Sequence, residues 1–193
     1  MPELSASYRR GSAQRGSSVR QQPLVALISA IDRAVEAMGG SEGPEARSAL
    51  LSALGAASVT PGLLSHAQRK PGADCYARHV IHADPAGRYT LIAIVWAPGQ
   101  FSPIHAHRAW CAYSICDGPL CETLFRIDPV TGAAIELGSH KRPAGYACFA
   151  DAGLDQIHRL GNDGRIGAAA VSLHAYGVSG DNIACGVNDV IDV

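Results

Sequence analysis

A chain of 193 residues, 47 % apolar and 17 % charged, holds enough apolar material for one ordinary core, which excludes a wholly disordered protein. Its 16 basic and 17 acidic residues give a formal charge of −1, and no basic stripe runs through the body of the chain, so nucleic acid is excluded as the expected partner. The longest clean apolar run, Leu91 to Ala97, is too short to cross a bilayer, and no secretory apolar core follows Met1; no membrane association and a cytoplasmic, reducing compartment are expected.

Residues 1–22 carry Arg9, Arg10, Arg15 and Arg20 among serines and glycines, with Glu3 the only acid. This composition fits a solvated, disordered tail, the reading adopted, and also a transit peptide. Residues 23–39 place Leu24, Leu27, Ile28, Ile31 and Val35 at helical spacing, and Gly39-Gly40 end the helix. Ser41 to Pro44 open a second helix with Glu45 to Ala57 as its body, and Pro61 to Gln68 form a short third. Residues 23–70 thus read as helices packed on a sheet.

The remainder, residues 71–193, has a different texture. Short β-rich runs at 76–82, 89–97, 103–107, 109–116, 120–127, 134–137, 146–150, 156–160 and 167–176 alternate with Gly, Pro and Asp. Turns such as Asp84-Pro85-Ala86-Gly87 and Asn162-Asp163-Gly164 separate them. The pattern is mainly β, a sandwich or barrel rather than a βαβ sheet. Cys75, Cys111, Cys116, Cys121, Cys148 and Cys185 contain no C-x-x-C pair and read as buried or functional thiols.

The densest chemistry runs from Gly99 to Gly118. His105 and His107 stand two apart on a strand, so both face one side and can meet one metal. Imidazole suits Fe, Zn, Cu and Ni. A bare H-x-H is also common in histidines that only face solvent or hold a structural hydrogen bond. Here the flanks are G-x5-H-x-H-x3-C-x6-G, and His158-Arg-Leu-Gly-Asn162 supplies H-x3-N. These segments resemble the two cupin motifs over residues 75–176, with Cys111 in place of the first motif's Glu and only Gly153 left of the second motif's Pro-x-Gly. The resemblance implies a cupin-type jelly-roll β-barrel with a short N-terminal helical segment, and a metal on His105, His107 and His158. Three neutral imidazoles leave the ion's charge to ligands from outside, and a coordinated thiolate meets part of it. An iron site keeps positions open, whereas a closed zinc site needs a fourth protein ligand, for which Cys111 is at hand.

Three further segments narrow the resemblance. Tyr76-Ala-Arg78, Leu120-Cys-Glu-Thr-Leu-Phe125 and Ser172-Leu-His174-Ala-Tyr176 occur in the order found in the cysteine dioxygenase group of thiol dioxygenases, which this chain resembles. The resemblance implies Fe(2+) as cofactor, and a small thiol and O2 as partners of a monomer or weak homo-oligomer. Arg78 would pair with the substrate carboxylate, assisted by Tyr76; a guanidinium fork suits that task. Ser172, His174 and Tyr176 share one strand face and would form a relay ending near the metal, unless that face meets solvent. Cys111 falls at the position that some members link covalently to the active-site tyrosine when counted back from Gly118, but one residue short when counted from His107. The implied reaction is cysteine + O2 → cysteine sulfinate. Arg78 favours cysteine, while Trp110 and its surroundings resemble the 3-mercaptopropionate branch. Two rivals stand beside it: a zinc or manganese cupin isomerase or hydrolase, and a non-enzymatic ligand-binding cupin, for which the Ser172, His174 and Tyr176 trio has no obvious use.

Overall fold

The computed structural model describes residues 8–9, 18–39 and 43–191. Most of the expected tail, residues 1–22, lies outside the described residues. Within it, Tyr8–Arg9 forms a short strand, β1, and the first helix already begins. That helix, α1, spans Ser18–Met38 and carries Pro23 inside it, where a helix start was expected. Helix α2 spans Gly43–Ser58. The expected third helix is a single 3-10 turn, His66–Arg69, closed by a reciprocal capping box between Ser65 and Gln68.

Ten strands follow: β2 (Ala77–Ala83), β3 (Thr90–Trp96), β4 (His105–His107), β5 (Cys111–Asp117), β6 (Pro119–Ile127), β7 (Ala134–Pro143), β8 (Ala147–Ala150), β9 (Gly153–Gly161), β10 (Ala170–Tyr176) and β11 (Asn188–Val190). They form one sheet in the order β1-β2-β3-β10-β5-β8 and a second in the order β11-β4-β9-β6-β7. The fold is mainly β, a cupin-type two-sheet barrel. No helix among the described residues is long and apolar enough to cross a membrane.

The larger sheet is covered on both faces, which explains why β3 is an unbroken apolar run. Its Leu91, Ala93 and Val95 join Val171, Leu173 and Ala175 of β10 against Leu27 and Ile31 of α1 and Leu50 and Leu54 of α2. The alternate residues Ile92, Ile94 and Trp96 turn into the barrel with Cys111, Tyr113 and Tyr176. Ser172, His174 and Tyr176 therefore face the interior, and all three are buried.

Two motif residues have architectural work. Gly118 turns the chain from β5 to β6 at φ +89°, and a Cβ there would stand 2.7 Å from the Ala170 Cβ, so only glycine fits. Asn162 is fully buried and donates through Nδ2 to the Trp96 carbonyl at 3.1 Å and the Ala168 carbonyl at 2.8 Å, tying the end of β9 to the end of β3.

Candidate metal centre and its pocket

Strand β4 lies between β9 and β11, and the register sets His105 directly opposite His158 on β9. A register shift before His107 lets the third ring turn to the same point. The three rings are buried, with ligand nitrogens within 4.8 Å of one another. Their centroids lie 5.1, 4.7 and 5.1 Å apart. His105 Nδ1 is 3.0 Å from the Pro103 carbonyl, and His158 Nδ1 is 2.8 Å from Glu122 Oε1. With the protons on Nδ1, each Nε2 is left free. Both ring nitrogens of His107 are buried without a hydrogen-bond partner. Orphaned buried nitrogens are rare, and a metal would satisfy one of the two.

Burial, then the neighbouring His158 and His107, holds His105 well below the usual histidine range. Burial, then His158, lowers His107 to about 4. Both are neutral imidazoles at neutral pH, which is the ligating form. The donor set thus fits a divalent transition metal with open positions.

A second chain of contacts runs along β10. Trp96 Nε1–H donates to Ser172 Oγ at 2.9 Å, Ser172 Oγ lies 2.8 Å from His174 Nε2, and His174 Nδ1 lies 3.4 Å from the Tyr176 hydroxyl. Indole only donates, so Ser172 Oγ accepts from Trp96 and makes its second hydrogen bond with His174 Nε2. Burial keeps His174 far below the usual range and therefore neutral, with a single ring proton. Burial drives the Tyr176 hydroxyl well above the ordinary tyrosine range, so it keeps its own proton. The Tyr176 ring stands 6.0 Å from that of His107, centroid to centroid.

Tyr76 and Arg78 line the same narrow pocket as the three histidines, His174 and Tyr176, and its empty volume is about 370 Å³ including the mouth. Tyr76 packs on Trp96 at 4.5 Å between ring centroids, and burial raises its hydroxyl pKa. Arg78 donates from Nη2 to the Ile183 carbonyl at 3.2 Å, which holds the guanidinium at the pocket. Cys111 is placed differently. It does not line the pocket and is not among the three converging ligands. It is a free, buried thiol 4.0 Å from His174 Nδ1, directly opposite Tyr176 in the β5–β10 register, and burial pushes its pKa up.

Four site residues were not singled out from the sequence. Trp96 looked like one more apolar residue of β3. Glu122 lies between the inward Leu120 and Leu124, and a carboxylate at an inward position was its signal. Ser102 accepts from the Leu160 N–H at 3.1 Å and donates to the Pro103 carbonyl at 2.9 Å beside His105. Asn188, opposite His107 in the β11–β4 register, has a buried Oδ1 without a partner; nothing local in the sequence marks it.

A barrel of two antiparallel sheets with three convergent buried histidines inside defines a metal-binding cupin. Residues 71–184 match the cysteine dioxygenase type I family, and the chain belongs to that family. Its function is of the metal-dependent thiol dioxygenase type. Among solved structures, a Thermus thermophilus protein is similar at 17 % identity and TM-score 0.45, over 60 % of this chain and 96 % of that one. A Klebsiella pneumoniae protein with a double-stranded β-helix domain is similar at 15 % identity and TM-score 0.44, over 69 % of this chain and 100 % of that one. A recombinant oxalate oxidase in complex with glycolate is similar at 20 % identity and TM-score 0.43, over 60 % of this chain and 59 % of that one.

Proposed function

We propose that the protein is an iron(II)-dependent dioxygenase that converts cysteine and O2 to cysteine sulfinate. The observation that carries this reading is the pairing of one guanidinium, Arg78, with three convergent imidazoles in a pocket that no Asp or Glu lines among the described residues. A bidentate carboxylate–guanidinium pair fixes the far end of the substrate. The thiol end then reaches the histidines.

Iron(II) on His105, His107 and His158 would supply open positions where thiolate and O2 meet. Both oxygen atoms pass to sulfur: sulfur loses four electrons, O2 gains four, and no external donor is needed. The chain's own residues hold the geometry and the protons. Arg78 and Tyr76 orient the carboxylate end, and such positioning supplies much of a rate. The Trp96–Ser172–His174 chain holds Tyr176 Oη at the pocket, where its protonated hydroxyl serves as a hydrogen-bond donor to the reacting sulfur and oxygen atoms.

A second reading, 3-mercaptopropionate as substrate, is favoured by the same absence of a lining carboxylate, because the ammonium of cysteine finds no ionic partner there. The test is O2 uptake by anaerobically iron-loaded protein with cysteine, 3-mercaptopropionate and cysteamine. One sulfinate formed per O2 with cysteine as best substrate is expected. Preference for 3-mercaptopropionate selects the second reading, and no uptake with any thiol overturns both.

A further inference from the structure

Behind the three imidazoles lies a buried polar cluster that the proposed reaction does not use. Glu122, on β6, is almost wholly buried. Its Oε1 accepts from His158 Nδ1 at 2.8 Å and from the Tyr113 hydroxyl at 2.9 Å, and its Oε2 accepts from Arg142 Nε at 2.8 Å. Arg142 reaches inward from β7, where it stands opposite Leu120, and its guanidinium lies 4.5 Å over the Tyr146 ring. A carboxylate removed from water is costly unless it is paired and its lone pairs are filled. Arg142 supplies the countercharge and Tyr113 a neutral donor. The third donor is a histidine of the candidate metal centre.

The three imidazoles differ in what stands behind them. His105 faces a neutral carbonyl, and His107 has no partner within hydrogen-bond geometry. Among the described residues, His158 alone has an anion behind its ring. At the motif position where a cupin carries an anionic ligand, this chain has Cys111, a buried thiol away from the three nitrogens.

We propose that Glu122 is a positioning residue of the metal centre: it holds the His158 proton on Nδ1, keeps Nε2 aimed at the ion, and returns from behind the ring the negative charge that three neutral imidazoles lack. The inference rests on the metal reading of the histidines. A carboxylate behind a ligating imidazole fixes its tautomer and raises its basicity, and losing such a partner weakens metal binding about 10- to 100-fold. Arg142 belongs to the same device, because it fixes the carboxylate that fixes the ring.

The test compares wild type, Glu122→Gln and Arg142→Gln as full-length apoproteins. Zn(II), and Fe(II) under anaerobic conditions, are titrated against a competing chelator, and histidine ring nitrogens of the Zn(II) form are followed by long-range 1H–15N spectra. The glutamine amide has one accepting and one donating end, so it cannot accept from both Arg142 and His158. Glu122→Gln is expected to bind about 10- to 100-fold more weakly, with the His158 Nδ1–H signal shifted or lost. Arg142→Gln should move affinity in the same direction with the signal kept. Unchanged affinity and tautomer in both variants, with only the unfolding temperature lowered, would overturn the proposal in favour of a role in the fold. If Glu122→Gln does not fold, unchanged affinity in Arg142→Gln overturns it alone. A wild type that takes up no metal overturns the metal reading and the proposal with it.

Discussion

Replacing Arg78 with alanine removes the one fixed cation that lines the pocket among the described residues and leaves the histidines in place. A charge-assisted bidentate pair contributes about 1.5–3 kcal/mol, roughly a 10- to 150-fold factor in kcat/KM. Arg78 is half-buried, and one of its nitrogens is engaged by the Ile183 carbonyl at 3.2 Å, so truncation also frees that carbonyl and loosens the segment that carries it. The carboxylate-dependent part is isolated by comparing three thiols under one oxygen concentration. Cysteine and 3-mercaptopropionate should each lose about 10- to 150-fold in kcat/KM. Cysteamine, which has no carboxylate, should lose much less. Equal losses on all three thiols would refute the reasoning and make Arg78 a support of the fold.

His105→Ala or His158→Ala should abolish stoichiometric iron binding, read by metal analysis; retention of iron and activity in both would sink the three-histidine centre. Tyr176→Phe should retain iron and slow sulfinate formation at saturating thiol, and an unchanged turnover would make the Trp96–Tyr176 chain structural. Because Cys111 and Tyr176 stand opposite each other, a thioether with loss of two hydrogens to O2 is expected after turnover, and peptides that remain unlinked in the mass spectrum would refute it. Apoprotein stability should fall as pH drops from the ordinary histidine value of 6.5 towards 4: the lowered pKa of His107 makes the unfolded chain take up the proton first, which removes at most about 3 kcal/mol. A urea midpoint that stays level between these pH values would contradict the buried, neutral state of that ring.

Much of the barrel is visible in the sequence because period-two alternation and turn residues are local. β3, β5, β6 and β10 fall within a few residues of where those signals put them. β7 is longer than its apolar start suggests, Ala134–Pro143 instead of 134–137. Ser139, His140 and Lys141 look like loop, but an edge strand with an exposed face tolerates such residues, and pairing with β6 holds them extended. β11 is three residues long and exists through its pairing with β4, a contact no local pattern encodes. At the site, the histidines and the β10 trio are legible through spacing. The partners that orient them are not, since Trp96, Glu122 and Asn188 acquire their neighbours only when distant strands meet.

The sharing of β3 and β10 between core and pocket has a consequence for how this site could be altered. Leu173 lies between Ser172 and His174 in the chain, yet it packs with the helical layer while they face inward. The β3 and β10 side of the site is a wall gripped from behind by α1 and α2. A designer would work from within the barrel, trading volume at the apolar lining residues Ile94 and Leu160, and would treat the N-terminal helices as the back plate of the pocket.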